Sequence, residues 1–424
     1  MTALHTDTEF TGPAAVVVRP QPLGTFPLPL GYMLIPAVSS TGADTEAART
    51  ALLSGNVPEE WPEGLSAHEL ALAGDREAAL AVLDGTDPVT RYNRFVLDPD
   101  SEDPDELRCA LDEFGPLVDL VLFVLGRSDT PPEVGSADGE LAAVALSAQA
   151  SQVLDEGDSA GAVVLLERAA TAAGQDSRRL QGVLVGAAAA IRRELGDPSA
   201  AERLEQALRL LDGADGLRIG RAELHLNLAG LLHERAEDHP ELLAQAIPHY
   251  HSALQLVLRD EAPLLWAATH ANLATAYLTM PMVEASGQLR LGVAAQSLRS
   301  ALKVYTRETH PEQWASVQLN LANSLVYTPS KHQADNLVEA VELYEGVLQA
   351  RDRDTDPLGR ARVLSNQGNA LAHLGMFDQA KAKLYEARFL FEELADEESV
   401  RAVRGVLDEI ARQQALIRTA PAPD

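Results

Sequence analysis

From about residue 140 onward, apolar residues recur every three or four positions and alternate with short breaks. This spacing predicts amphipathic helices, whereas alternation at every second position would indicate strands. The second helix of each predicted pair carries a small residue, then a large residue four positions later, then a small or apolar residue three positions after that. The six occurrences are Ala162-Leu166-Ala169, Ala200-Leu204-Ala207, Ala246-Tyr250-Ala253, Ala294-Leu298-Ala301, Ala340-Tyr344-Val347 and Ala380-Leu384-Ala387.

The first helix of each pair has a small residue where it should contact its partner. These residues are Ala150, Ala188, Ala229, Ala274, Ala322 and Gly368. Small residues at matched points let two helix backbones approach closely, and the large residues between them fill the groove of the next pair. Because one hairpin cannot bury its own apolar face, we expect about six hairpins to stack. A helix from Glu397 to about Ile417 is predicted to cap the last open face.

The first third of the chain is less regular. Residues 1–40 are rich in proline, which forbids a helix and favours extended backbone. Their apolar content predicts that residues 13–36 pack against the apolar end of the repeats or against the next domain. Residues 41–138 show short helical patterns, with Asp103 as a predicted helix cap and linker composition at residues 127–139. The predicted organisation is therefore a segment 1–40, an irregular helical domain 41–138, a repeat region 139–395, a capping helix 396–417 and a tail 418–424.

Composition supports helices and limits the partners that we expect. Hydrophobic residues make up 46% of the chain but aromatic residues only 4%, so alanine, leucine and valine supply the core. The net charge of −29 predicts repulsion of nucleic acid and of anionic membrane surfaces, and neither is an expected partner. Asp7 and Glu9 lie where a signal peptide needs positive charge, and no apolar run is long enough to span a bilayer. A soluble, cytoplasmic protein is expected.

Motifs for catalysis are missing from the sequence. There is no phosphate-binding Gly-rich loop and no nucleophile elbow, and His249 and His251 point in different directions on one predicted helix. The lone cysteine, Cys109, lies among apolar residues and is predicted to be a buried thiol. We expect no catalytic residue, metal or cofactor. An unrecognised enzyme site in residues 41–138, around Arg91 and Arg94, is the weaker alternative.

One repeat resembles a known family. The run GRARVLSNQGNALAHLGMFDQAKAKLYEARFLFEEL, residues 359–394, is similar to a tetratricopeptide repeat (TPR) in the spacing of Gly368, Gly375, Ala380 and Ala387. The repeats between about residues 221 and 349 have extra residues between their two helices, and YTRETHPEQWASVQLNLANSL resembles the longer repeats of kinesin light chains and bacterial multidomain signalling proteins. The resemblance implies an all-α, right-handed α-solenoid whose first helices line a concave groove.

Asparagine recurs two positions before the small contact residue. The predicted partner-binding residues are Asn227, Asn272, Asn320 and Asn366, with Asn323 and Asn369 one turn further on. Asparagine is unfavourable inside helices, so this repetition needs an explanation. Either the amides bind the backbone of a partner segment, since an amide both donates and accepts hydrogen bonds, or they hold neighbouring helices in register.

The function that these patterns favour is protein–protein interaction. We expect a non-catalytic scaffold or adaptor that binds a peptide or helix in the groove, a role that would include assisting, as a chaperone, the assembly of a larger complex. In the first two repeats the groove positions hold Ala148 and Gly186, which leave room for a bulky apolar anchor of the partner. The alternative is a regulatory sensor in which the repeats bind a signal peptide or a small ligand. Whether the chain forms homo-oligomers is left open.

Overall fold

The protein is described by a computed structural model that covers residues 31–36, 45–174, 177–280, 287–327 and 332–419. Within these ranges the chain forms nineteen α-helices, a few short 3-10 turns and no strand, which is an all-α, solenoid-like fold. No helix in the described ranges is long and apolar enough to cross a membrane. The chain divides into two compact units, one ending at Leu232, the other beginning at His233.

The N-terminal unit contains the irregular helices and the first repeats. Its helices are α1 (Glu46–Leu53), α2 (Ser66–Leu72), α3 (Arg76–Val82), α4 (Pro88–Leu97), α5 (Pro104–Leu111), α6 (Pro116–Val124), α7 (Gly139–Asp155), α8 (Ser159–Ala173), α9 (Arg178–Glu194) and α10 (Ala200–Leu210). Helix α7 packs against α8, α8 against α9, and α9 against α10, as expected for stacked hairpins. Helix α11 (Arg218–Glu234) follows, and the division between the units falls within it.

The C-terminal unit continues the same pattern. Its helices are α12 (Leu243–Leu256), α13 (Pro263–Thr279), α14 (Gly287–Ala301), α15 (Pro311–Tyr327), α16 (Gln333–Ala350), α17 (Pro357–His373), α18 (Phe377–Glu393) and α19 (Glu397–Thr419). The pairs α13/α14, α15/α16 and α17/α18 are hairpins, and each packs against the next. Helix α19 packs against α18 and buries Val403 and Ile410, while charged residues such as Arg404 and Glu409 face solvent.

Many of the helices begin directly after a residue whose side chain caps the helix. Several described helices begin behind a side-chain oxygen that accepts a backbone N–H: Asp75, Asp87, Asp103, Asp158, Ser177, Asp356 and Asp396. An aspartate at this position satisfies one of the unpaired N–H groups and favours the positive end of the helix dipole. The prediction for Asp103 is confirmed, since its carboxylate accepts from the backbone of both Asp105 and Glu106. Part of the acidic excess of the chain therefore serves to start helices.

The small-large-small triplets are the most buried feature of the repeats. In the second helices every triplet residue is at most 5% exposed, and all but Leu166 are at 0%. Burying each large member stabilises the fold by about 1.5–3 kcal/mol, and the small members let the helices come close enough to bury it. At Gly368 a Cβ atom would lie 2.6 Å from Cγ of Leu384, so α17 and α18 touch at this point. The predicted contact is confirmed at Gly368, and the five alanines at the equivalent positions are at most 4% exposed.

Two predictions about residues before the repeats have opposite outcomes. The described part of the proline-rich segment, residues 31–36, does pack on the N-terminal unit, with Met33, Leu34 and Ile35 at 1%, 3% and 6% exposure; the rest of residues 1–40 lies outside the described residues. The prediction of a buried thiol at Cys109 is wrong, because the residue is exposed. Leu107 and Leu111 supply the buried face of α5, and the cysteine lies on the side turned away from them.

Replacing Gly368 by alanine should destabilise the C-terminal unit. The new methyl group would overlap Leu384, and such overpacking costs about 1–3 kcal/mol in the free energy of unfolding. The matched control is Gly405→Ala in α19, where a Cβ atom would meet nothing within 4 Å. That change should be neutral or stabilise by up to about 1 kcal/mol, because alanine favours helices. Urea unfolding followed by circular dichroism measures both, and equal effects of the two changes would contradict the close contact.

Candidate partner-binding surface

The predicted asparagines lie on one face of the first helices. Four of them, Asn227, Asn272, Asn320 and Asn366, stand two residues before a small contact residue, and two residues rotate by about 200° around a helix. Asn323 and Asn369 follow three residues after Asn320 and Asn366, about one turn further on. Since Gly368 touches α18, Asn366 points away from that hairpin partner, and the same holds for the equivalent positions of the other first helices. We call the face that carries these asparagines the inner face.

Most of the inner-face amides are buried. Asn272, Asn320 and Asn366 are each 4% exposed and Asn323 is 1% exposed, whereas Asn227 and Asn369 are half-buried. In the C-terminal unit α15 lies in contact with both α13 and α17, so first helices cover one another at this face. A partner therefore reaches little of the inner face at α13 and α15.

Asn323 connects three helices. Its Oδ1 atom accepts a hydrogen bond from the hydroxyl of Tyr344 on α16 at 2.7 Å and another from Nδ2 of Asn366 on α17 at 3.0 Å. Tyr344 is at 0% exposure, and its burial raises the pKa of its hydroxyl well above the usual value. Because a buried polar group without a partner is costly, this shared oxygen helps to fix adjacent repeats in register.

The half-buried amides also contact neighbouring helices. Arg193 on α9 donates through Nη1 to Oδ1 of Asn227 at 2.8 Å, and the side chain of Asn369 hydrogen-bonds to Tyr327 on α15. Together with Asn323 and Asn366, four of the six asparagines thus have a role in packing, the second interpretation left open by the sequence. Their role in binding a partner stays a prediction.

The most accessible stripe of the inner face in the C-terminal unit lies on α17. Arg362, Asn366, Asn369 and His373 occupy positions i, i+4, i+7 and i+11, which share one face of a helix. Arg362 and Asn369 are half-buried and His373 is exposed. We call these four residues, with Tyr327, the α17 stripe. Sequence reasoning missed Arg362, His373 and Tyr327, although their spacing from Asn366 and Asn323 was available.

Arg362 differs from most arginines of the chain. In the described ranges many arginines pair with a carboxylate, for example Arg360 with Glu386 at 3.1 Å and Arg299 with Glu339 at 2.6 Å. Arg362 has no ion pair within the part of the chain that the structure describes. A half-buried guanidinium without a carboxylate is suited to an anionic group from another molecule, which it binds through two parallel N–H donors.

Three titratable side chains outside the α17 stripe have pKa values that burial shifts strongly. Burial raises the pKa of Glu223 on α11 to about 7, and burial lowers the pKa of His233 and of His270 to about 4. His233 hydrogen-bonds to the hydroxyl of Tyr250 at 3.4 Å, and the ring of His270 lies 4.3 Å from that of Trp266. Both imidazoles are therefore neutral packing groups near pH 7.

No cluster suited to a metal occurs among the residues that the structure describes. His251, one of the two neighbouring histidines, shares a hydrogen bond of 3.0 Å with the hydroxyl of Tyr277. The arginines singled out near residue 91 form a structural network, because Arg91 and Arg94 both bond to Glu102. Arg94 also donates to the carbonyl oxygens of Leu83 and Gly85. The bonds of Arg94 to Leu83 and Gly85 fix the loop between α3 and α4, and the bonds to Glu102 fix the loop that follows α4.

No protein-family model and no curated protein matches the chain. Solved structures do resemble it, and two of them contain the human protein IFIT1. The structure titled "Human IFIT1 dimer with PPP-AAAA" is 14% identical, covers 77% of this chain and 82% of its own, and has a TM-score of 0.35. The structure titled "Human IFIT1 dimer with m7Gppp-AAAA" is 15% identical, covers 83% and 81%, and has a TM-score of 0.37. At this level the likeness concerns the helical-repeat fold alone.

The prediction that nucleic acid is excluded as a partner is wrong. It rests on the net charge of −29, yet two structures of human IFIT1 that resemble this chain are titled with PPP-AAAA and m7Gppp-AAAA. Net charge sums over the whole chain, whereas recognition depends on local groups. Locally, Arg178 and Arg221 lie near enough to Arg179 to help lower its pKa, after the larger effect of burial. Charge therefore does not decide the class of partner.

Replacing Asn323 by alanine should weaken the stack. The hydroxyl of Tyr344 and the amide of Asn366 would both lose an acceptor in a buried place, at about 1–3 kcal/mol for each stranded donor. Tyr344→Phe removes one donor and keeps the acceptor for the other, so its loss should be smaller. Urea unfolding measures both free energies, and an Asn323→Ala variant as stable as the wild type would contradict a packing role.

The free energy of unfolding should fall as the pH rises from the ordinary pKa of a glutamate to the raised pKa of Glu223. Its pKa is about 7 in the folded protein against an ordinary value of 4.5, so ionisation is less favourable in the folded state and the penalty grows from about pH 4.5 to about pH 7. Glu223→Gln should therefore stabilise the protein at about pH 8 by about 1–3 kcal/mol and have little effect at about pH 4.5. Urea unfolding at both pH values checks this. The exposed Glu202→Gln is the control, and a difference between the two pH values no larger than in this control would rule out the assignment.

Proposed function

We propose that the chain is a TPR-like protein, with longer repeats of the kind found in kinesin light chains and bacterial multidomain signalling proteins, and that it binds a partner protein without catalysing a reaction. The buried triplets and the small contact residues on α7 to α18 support the repeat assignment. The pKa values of Glu223, His233 and His270 are shifted mainly by burial, and the two histidines pack against aromatic rings, which supports a binding rather than a catalytic role.

The binding surface that we propose is the α17 stripe. The observation that carries it is Arg362, a half-buried guanidinium without an ion pair in the described chain, although the protein has 63 acidic and only 34 basic residues. The amide of Asn369 lies two turns from Arg362 on the same face and can donate and accept at once. A carboxylate of the partner at Arg362 and a backbone amide at Asn369 are the matching groups.

The partner on this account is a peptide segment with an acidic side chain or a terminal carboxylate. Within the C-terminal unit, burial of the amides on α13 and α15 limits the contact to the last hairpin, which reduces the expected binding groove there to one helix. A rigid stack with one accessible recognition helix suits an adaptor or scaffold, including one that assists assembly of a larger complex in the cytoplasm.

Changing Arg362 and Asn369 together to alanine should remove the partner. The double variant loses the guanidinium of Arg362 and the amide of Asn369. Their contacts with the partner together contribute about 2–4 kcal/mol to the binding free energy, which corresponds to more than about 30-fold in affinity. Affinity capture from cells of the source, compared by quantitative mass spectrometry, measures the loss. The captured protein is then tested as a purified partner by calorimetry.

The matched control is Arg168→Ala on α8, an exposed arginine that also has no ion pair in the described chain. This control should keep the partner, and circular dichroism should show that both variants are folded. A double variant that binds the purified partner as tightly as the wild type would disprove the proposed surface.

A further inference from the structure

Residues 31–36 are held in the N-terminal unit without belonging to any helix. Their backbone has no regular secondary structure after a turn at Gly31, where φ is +70°. Met33, Leu34 and Ile35 are nevertheless buried, and Leu34 belongs to the main core of the unit. Since buried N–H and C=O groups need partners, side chains have to supply them here.

Asn93 supplies both partners of one residue. Its Oδ1 atom accepts from the backbone N–H of Leu34 at 2.6 Å, and its Nδ2 atom donates to the carbonyl oxygen of Leu34 at 2.8 Å. The amide therefore pairs with Leu34 as a neighbouring strand would. Asn93 lies in the middle of α4 at 0% exposure, between the fully buried Tyr92 and Phe95, so its position is fixed by the core.

Two further helices complete the hold on the segment. Nε2 of His68 on α2 lies 3.0 Å from the carbonyl oxygen of Leu34, and Arg49 on α1 donates to the carbonyl oxygen of Pro36. Burial is the main reason that the pKa of His68 is lowered, so the ring is neutral. Because a carbonyl oxygen only accepts, the proton of this neutral ring is on Nε2. The carbonyl of Leu34 thus accepts from both Asn93 and His68.

This arrangement has the features of peptide recognition rather than of ordinary chain packing. Side chains from three helices bind the backbone of a non-helical segment, and three successive apolar side chains are buried beside it. Recognition of this kind takes affinity from main-chain hydrogen bonds and specificity from side-chain pockets. None of these contacts requires that the segment be joined covalently to the helices.

We propose that α1, α2 and α4 form a peptide-binding cleft whose resident ligand is the chain's own segment 31–36. The cleft takes a non-helical peptide with apolar residues at three successive positions, and Asn93 clamps the middle one. The same segment supplied in trans, as a free peptide or by a second copy of the chain, occupies the cleft when the resident segment is displaced.

The test uses the full chain with Leu34→Asp, which removes the buried leucine and releases the segment. A fluorescein-labelled peptide GYMLIP, the sequence of residues 31–36, should bind this variant saturably in fluorescence anisotropy. Adding Asn93→Ala should weaken the binding of the peptide by about tenfold or more, because it removes the hydrogen bonds between Asn93 and the leucine backbone. A peptide whose leucine is N-methylated should also bind about tenfold or more weakly, because it lacks the N–H that donates to Asn93. The wild-type chain, whose cleft is filled, should bind the peptide more weakly than the variant by about tenfold or more.

Two results would overturn the proposal: no binding by a folded Leu34→Asp chain, or equal binding of the N-methylated and unmodified peptides. If circular dichroism shows that Leu34→Asp is unfolded, the proposal is tested instead by hydrogen exchange of the single variant Asn93→Ala. Exchange of the Leu34 amide should then accelerate by about tenfold or more while the amides of α7 and α8 keep wild-type rates. Unchanged exchange at Leu34 would show that Asn93 does not hold the segment.

Discussion

The close approach of helix backbones at small residues is the contact on which the repeats depend. At Gly368 a methyl group would overlap Leu384, and alanine occupies the equivalent first-helix position in the other repeats. This approach allows the large residues of the second helices to be completely buried. It also brings successive first helices together, so that polar groups on their inner face have to satisfy one another. The amide network around Asn323 follows from the packing and in turn fixes its register.

Much of the fold could be predicted because local pattern and tertiary packing agree. The spacing of Ala380, Leu384 and Ala387 identifies a buried helix face, and the same residues are at 0% exposure in the structure. Caps such as Asp103 are equally local, since the side chain bonds to backbone within three residues. The capping helix after Glu397 could be predicted for the same reason, from its apolar stripe and its charged outer face.

The candidate site was harder to predict, because exposure depends on distances between helices. Asn320 and Asn369 look alike in sequence, yet one is buried by neighbouring first helices and the other is half-buried. Cys109 shows the same limit, since apolar neighbours along the chain did not tell which side of a short helix faces the core. Net charge failed as a guide to partners because it averages over local clusters. The clamp of Asn93 on Leu34 joins residues 59 positions apart, so no local pattern indicates it.

In the described part of the C-terminal unit, the inner face is buried at α15 and accessible at α17. Thiol labelling tests this directly, because the chain has one cysteine, Cys109, and it is exposed. Ser316 lies on α15, four residues before Asn320 and on the same face, and is 7% exposed. In a Ser316→Cys variant, the native thiol of Cys109 serves as an internal reference. Reaction with a disulfide reagent should show one fast thiol and one that reacts about 100-fold more slowly, since the slow thiol requires local opening. Two thiols that react at the same rate in the folded protein would show that the inner face is accessible at α15.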